Sequence, residues 1–339
     1  MLRLPSFEYL APRTVTEAVH LFDNAGPATM LVAGGTDLYP NMKRRQFEPR
    51  TLVGLGAIGE LRGVRGRAGE GLTIGAVTTL TGVARHPEVV RHYAAVATAA
   101  GSVSSPQLRN MGTIGGNLCV DTRCNYYNQT HQWRKAIGFC MKKDGDICLV
   151  APGSPRCWAV SSSDTAPVFW SLGAQVRLVG PHGERTIPLQ ALYRDDGIDY
   201  LAKRPDEIVT EIVLPPADGW SSVYLKLRRR GSFDFPVLGV AVAARLEGEV
   251  VRDARIVLGA VASLPREATA AAAAVRGERL TPEVIERVAG LAAGPAKPLD
   301  NTDFTHPYRK KVTRIFVARA LRRLAGLPES GDEGVEAPA

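Results

Sequence analysis

Apolar residues Ala18, Val19, Leu21 and Phe22 recur at helical spacing behind Thr14-Val15-Thr16-Glu17, a capping-box pattern, and Gly26 supplies a stop. A short apolar run from Thr29 to Ala33 predicts a buried strand. It ends in Gly34-Gly35-Thr36-Asp37-Leu38, and a second strand is expected from Thr51 to Leu55. Leu72 to Ala76 predicts a further strand, and Pro87 to Ala100 a helix with proline in its first turn. Ser102 to Pro106 is turn-rich and leads to Thr113-Ile114-Gly115-Gly116-Asn117. Regular pattern returns as a helix from Asp164 to Leu172, capped by the aspartate, and an alternating strand from Ala174 to Val179. Residues 119–159 keep neither period, and a loop of that length inside a compact domain is usually functional.

After Pro215-Pro216 the runs Val223 to Arg228, Val237 to Leu246 and Val250 to Val261 predict antiparallel strands, the last two joined near Glu247-Gly248. Helices are expected over Pro265 to Val275, Pro282 to Ala292 and Tyr308 to Leu324, the last with Val312, Ile315, Phe316 and Leu324 on one face. The fold class is therefore α+β / α/β: a two-part N-terminal region followed by a smaller antiparallel sheet-plus-helix domain. The expected boundaries are 1–55, 56–216 with a Cys-rich insertion at 119–159, 217–326, and a disordered tail at 327–339.

With 339 residues, 45% hydrophobic and 22% charged, the chain has material for more than one core, which excludes a disordered protein and a small disulfide scaffold. Its longest apolar stretches, such as Ala270 to Val275 and Val237 to Ala244, are too short to span a bilayer. The N-terminus contains Pro5 and Glu8 and no apolar signal region, so no membrane association and a cytoplasmic location are expected. The net charge of +8 is scattered, and no nucleic-acid-binding signature accompanies it.

Chemistry concentrates in two features. Gly34-Gly35-Thr36-Asp37 and Gly115-Gly116-Asn117 are paired glycines flanked by polar donors, suited to close approach of an anion such as a pyrophosphate. Neither matches the nicotinamide dinucleotide or P-loop patterns. All five cysteines, Cys119, Cys124, Cys140, Cys148 and Cys157, fall inside the irregular stretch. The last four lack the C-x₂-C pairs of common zinc modules, which leaves three readings open: a [4Fe–4S] cluster, zinc, or unligated thiols. Cys119, directly after the second glycine pair, is expected to pack there rather than ligate. The six histidines are dispersed, and no nucleophile arrangement or catalytic residue is expected.

LVAGGTDL (31–38), TIGGNL (113–118), Asp164-x-Ala166-Pro167 and Lys226 before an Arg-rich strand together resemble the FAD-binding subunit of the xanthine dehydrogenase family of molybdenum hydroxylases. The resemblance runs from about Phe7 to Leu324. The cysteine segment, with Arg123-Cys124-Asn125, Trp133-Arg134, Cys140, Asp146-x-Cys148 and Arg156-Cys157, is similar to the 4-hydroxybenzoyl-CoA reductase β-subunit branch of that family. The resemblance implies a two-part FAD-binding region of the medium-subunit type, with FAD bound by Leu31, Val32, Ala33, Gly34, Gly35, Thr36, Asp37, Leu38, Val103, Thr113, Ile114, Gly115, Gly116, Asn117, Asn125, Asp164 and Lys226. It implies a [4Fe–4S] cluster ligated by Cys124, Cys140, Cys148 and Cys157. Molybdopterin and [2Fe–2S] clusters would sit on large and small partner subunits, in a dimer of heterotrimers, with ferredoxin as electron donor. The activity implied is reductive dehydroxylation of 4-hydroxybenzoyl-CoA, a step of aromatic compound degradation; an oxidative hydroxylase subunit and a zinc-stabilised interaction subunit are the alternatives. Basic residues between Cys119 and Ala159, Lys142 and Lys143 foremost, are expected to form an exposed rim that attracts the ferredoxin.

Overall fold

The computed structural model describes residues 2–328. Most of the expected disordered tail, 329–339, lies outside the described residues. The first unit comprises β1 (Glu8–Leu10), α1 (Val15–Asn24), β2 (Thr29–Val32), α2 (Leu38–Lys43) and β3 (Thr51–Gly54). The strands form a parallel sheet in the order β1-β3-β2. The Thr14 hydroxyl accepts from the Glu17 amide at 3.1 Å, and the Glu17 carboxylate accepts from the Arg13 amide at 2.7 Å, so the capping residues fix where α1 begins. Ala18 and Val19 pack the helix against Val53 of β3.

The second unit contains β4 (Val64–Arg67), β5 (Gly71–Gly75), α3 (Leu80–Arg85), α4 (Pro87–His92), α5 (Ala94–Ser102), α6 (Pro106–Arg109), α7 (Ile114–Leu118), α8 (His131–Ala136), α9 (Ala166–Ser171), β6 (Gln175–Gly180), β7 (Gly183–Pro188) and β8 (Ile208–Leu214). Its antiparallel sheet runs β4-β5-β8-β6-β7. Three expectations are corrected here. The single helix over Pro87 to Ala100 is two helices, because Tyr93 leaves helical geometry (φ −130°, ψ 52°) to bury its ring and donate its hydroxyl to the Pro215 carbonyl at 2.7 Å. Asp164 does not cap α9; its carboxylate is taken by Tyr224 and Lys226, and the Ser163 hydroxyl accepts from the Ala166 amide instead. The irregular stretch contains the short helix α8, started by the Thr130 hydroxyl accepting from the Trp133 amide.

The third unit holds β9 (Trp220–Leu227), β10 (Leu238–Glu247), β11 (Val250–Gly259), β12 (Arg266–Glu267), α10 (Thr269–Val275), α11 (Pro282–Ala292) and α12 (His306–Leu324). The antiparallel order is β12-β11-β10-β9. Alternation along β10 divides its buried residues between two cores. Ala241 and Ala243 join the core of the second unit, while Val240, Val242 and Ala244 face α10–α12. Pro265 does not open a helix: Arg266 and Glu267 first pair with β11 as an edge strand. On α12 the buried stripe passes through Arg309, Val312, Val317 and Leu321, and Ile315 is exposed. Among the described residues no helix is long and apolar enough to cross a membrane.

Candidate cofactor cleft and cysteine cavity

The loop after β2 and the turn before α7 lie side by side. A side chain on Gly34 would overlap the Met111 carbonyl, and only hydrogen permits that approach. A cleft of about 250 Å³ opens between them, lined by residues 30–38 on one wall, Gly112, Thr113, Gly116 and Asn117 on the other, and Val103, Ser104, Asp121, Tyr200 and Phe235 around its end. A second cavity of about 320 Å³ shares Met30, Leu31, Gly116 and Cys119 with the first and extends to Ala76, Val77 and Ile208. Gly116 borders both, so the two spaces adjoin at the start of α7.

The two glycine segments differ in what they can donate. Among the described residues the amides of Gly35, Thr36 and Asp37 have no internal acceptor. Gly35 has φ +69°, and a Cβ there would overlap the Tyr39 ring. This is the loop equipped to receive phosphate oxygens. By contrast, the Ile114 and Gly115 amides are spent on the Thr78 and Ala76 carbonyls at 2.9 Å, and the Gly116 amide on the Thr113 hydroxyl. Gly115 is a packing glycine: its Cβ would stand 2.7 Å from that of Ala76. The expected second anion loop is therefore the first turn of α7, which forms a wall rather than a row of free donors.

Leu31, Val32, Ala33, Gly34, Gly35, Thr36, Asp37, Leu38, Val103, Thr113, Gly116 and Asn117 line the first cavity. Gly115 lines the second. Ile114 is in the core, and Asn125, Asp164 and Lys226 do not line either cavity. Burial raises the Asp164 carboxyl and lowers the Lys226 ammonium, and the two are paired at 2.9 Å. Lys226 also donates to the Ser102 carbonyl at 3.1 Å, so it braces the segment that carries Val103. Asn117 takes hydrogen bonds from Ser163 and Thr165 and ties α7 to the start of α9.

Cys124, Cys140, Cys148 and Cys157 line one small enclosed cavity together with Tyr126, Tyr127, Leu149, Val150 and Ala159. All four are buried. Desolvation pushes the Cys124 thiol up to about 12 and Cys157 to about 11. Among the described residues no three His, Cys, Asp or Glu side chains come close enough to hold one metal ion. Cys119 sits apart, on the wall shared by the first two cavities, with its thiol raised to about 11 by burial.

Only Thr122 and Arg123 separate the spaces along the chain: Asp121 lines the cleft and Cys124 the cysteine cavity. Lys142 also lines the cysteine cavity and, with its side chain 5% exposed, donates to Asp121 at 2.8 Å, Thr122 at 2.8 Å and the Gly197 carbonyl at 2.5 Å. Arg123 is buried, paired with Asp37, 3.3 Å from Asn41 Oδ1 and stacked 4.5 Å from the Phe235 ring centre. Arg134 is buried as well, donating to the Arg44 and Arg45 carbonyls. The expected exposed basic rim is corrected for Lys142, Arg123 and Arg134, which are internal; Lys143 stays at the surface, paired with Asp144, and Lys135 is exposed. The count of charges in the segment carries no information about which of them face water. Asp121, Tyr200 and Phe235 are not singled out by the sequence pattern, and Lys142 is expected on the surface rather than inside; only Asp121, three positions before the first cavity cysteine, had a signal in its position.

The family described as FAD binding domain in molybdopterin dehydrogenase matches residues 5–217, and the CO dehydrogenase flavoprotein C-terminal domain matches residues 222–324. The chain belongs to the FAD-binding medium subunits of the molybdenum hydroxylase family, and it is an oxidoreductase subunit. The carbon monoxide dehydrogenase medium chain of Hydrogenophaga pseudoflava is 30% identical over 94% of this chain and 96% of its own length. The aldehyde oxidoreductase FAD-binding subunit PaoB of Escherichia coli is 32% identical over 77% and 83%. Among solved structures, carbon monoxide dehydrogenase from Hydrogenophaga pseudoflava lacking the Mo-pyranopterin moiety superposes with a TM-score of 0.77 at 30% identity, covering 94% of this chain and 97% of that one. FAD is thus the cofactor of the matched domain, and the first cavity is the one walled by unsatisfied backbone donors.

Proposed function

We propose that this chain carries electrons within a molybdenum-dependent oxidoreductase, holding FAD in the glycine-lined cleft and one [4Fe–4S] cluster in the cysteine cavity. The observation that supports this most is the gathering of four buried thiols around one cavity, three residues from the cleft. Flavin exchanges one or two electrons and an iron–sulfur cluster one at a time, so neighbouring sites give a two-electron reaction a one-electron port. Zinc would need its ligands to converge within about 2.3 Å of a point. Thiols spread around a cavity suit a body of several atoms better.

In this assignment Cys124, Cys140, Cys148 and Cys157 are the ligands, and binding releases the protons that burial favours on the free thiols. Tyr126, Tyr127, Leu149 and Val150 exclude water from the sulfurs. The amides of Gly35, Thr36 and Asp37 receive the FAD pyrophosphate, and Val103 borders the ring end of the cleft. The molybdenum cofactor and [2Fe–2S] clusters belong to a large and a small partner, in a dimer of heterotrimers. The cysteine segment supports reductive dehydroxylation of 4-hydroxybenzoyl-CoA to benzoyl-CoA: two electrons from ferredoxin and two protons enter, and water leaves. Relatives named for carbon monoxide and aldehyde support a second reading, an oxidative enzyme with the electron flow reversed.

Purifying the complex without oxygen and assaying it in both directions tests this. Flavin bands over a broad shoulder that bleaches with dithionite are expected, with turnover of either 4-hydroxybenzoyl-CoA plus reduced ferredoxin or an aldehyde or N-heterocycle plus an acceptor. A flavin spectrum with no broad absorption and stoichiometric zinc would refute the cluster.

A further inference from the structure

Two carboxylates line the cleft, Asp37 and Asp121. Both are badly placed for a cofactor whose pyrophosphate carries two negative charges, since like charges in a partly enclosed space are screened far less than on a surface. Each carboxylate is paired, and both partners come from the cysteine segment: Arg123 with Asp37, and Lys142 with Asp121 at 2.8 Å. Arg123 and Lys142 do not line the cleft themselves. They stand behind the carboxylates, with side chains 9% and 5% exposed, and are anchored elsewhere: Arg123 over Phe235, and Lys142 on Thr122 and the Gly197 carbonyl. Gly197 in turn packs on the cysteine cavity, where its Cβ would come within 2.7 Å of Cys157 Sγ.

We propose that the cysteine segment completes the FAD site electrostatically, with Arg123 and Lys142 acting as positioning residues whose charges neutralise Asp37 and Asp121 so that the cleft accepts a dianionic dinucleotide. Arg123 is adjacent to Cys124 and Lys142 lies two residues beyond Cys140, so order at the cysteines is transmitted to the charge of the cleft. The inference rests on FAD occupying this cleft.

FAD affinity of the flavin-stripped full chain, measured by quenching of flavin fluorescence at 0.15 M salt, tests it through charge cycles. Arg123→Gln should weaken binding at least about tenfold, the order expected when a close charge pair is broken. Adding Asp37→Asn to Arg123→Gln, which removes the carboxylate left bare, should recover most of that loss. Lys142→Met and Asp121→Asn should behave in the same way. The paired variants leave no buried charge alone, so they keep the cycle readable if a single variant folds poorly. Wild-type affinity in Arg123→Gln, or a double variant as weak as Arg123→Gln, would overturn the inference. Full affinity in Gly35→Val measured alongside would instead overturn the placement of FAD in this cleft.

Discussion

Glu207 shows how much a single side chain can be asked to hold. It is 1% exposed and accepts from Arg185 Nε and Nη2 at 2.7 and 2.9 Å and from the Arg204 amide at 2.6 Å. The hydrogen bonds from Arg185, the largest cause, pull its carboxyl down to about 2 against the burial that raises it. A carboxyl depressed on folding stabilises the native state above its unfolded pKa, about 4.3, and that contribution is lost as the pH falls toward 2. Glu207→Gln should therefore lower stability at pH 7 and narrow the gap from wild type between pH 4.5 and 2, as followed by urea midpoints across that range. A gap that is constant with pH would show that the carboxylate is not depressed. None of this was visible in the sequence, where Glu207 is one of many charges. The same blindness applied to Lys142, whose burial depends on the Asp121-Thr122 pair and Gly197 meeting it from two distant points of the chain.

At the scale of elements, local chemistry was legible wherever it was self-contained. Thr14 with Glu17, Thr281 before α11 and Gly248 with φ +58° between β10 and β11 each act within a few residues, and these elements fall close to where the pattern puts them. Elements set by distant partners were misread or missed. The break at Tyr93 depends on Pro215, the loss of the Asp164 cap on Lys226, and β8 passed unnoticed although Ile208, Ile212 and Leu214 mark its buried face and it lies at the centre of its sheet. The glycine pairs looked equivalent and are not. Gly35→Val meets both a left-handed φ and the Tyr39 ring in the donor loop, and should abolish FAD binding in a flavin titration. Gly115→Ala instead presses a methyl onto Ala76 at the helix–sheet contact, and should cost about 2 kcal/mol of stability in urea unfolding before it affects flavin. Equal FAD loss with unchanged stability in both variants would mean that α7 supplies donors after all.

For the whole molecule, the arrangement places two candidate redox sites where three units meet. The parallel sheet presents the donor loop, the central sheet with α7 forms the opposite wall, and Phe235, on the stretch between β9 and β10, closes over Arg123. The cysteine segment is stitched into this junction at Gln46, which donates to the Tyr127 carbonyl at 2.7 Å, at the Arg123–Val160 bridge, and at Asn301, which accepts from the Asn125 amide. Family membership and general architecture could be reached from the glycine motifs with Asp164-x-Ala166-Pro167 and Lys226; the charge network around the cleft could not, because it is a property of the assembled units. The central claim is that the cysteine cavity holds a four-iron cluster beside a flavin. Iron, acid-labile sulfide and FAD counted in the full chain purified without oxygen test it directly, with Cys140→Ser as the companion. About four iron and four sulfide per FAD, with iron lost in the variant, is the predicted result. One FAD with no iron or sulfide, or with iron undiminished in the variant, would contradict it.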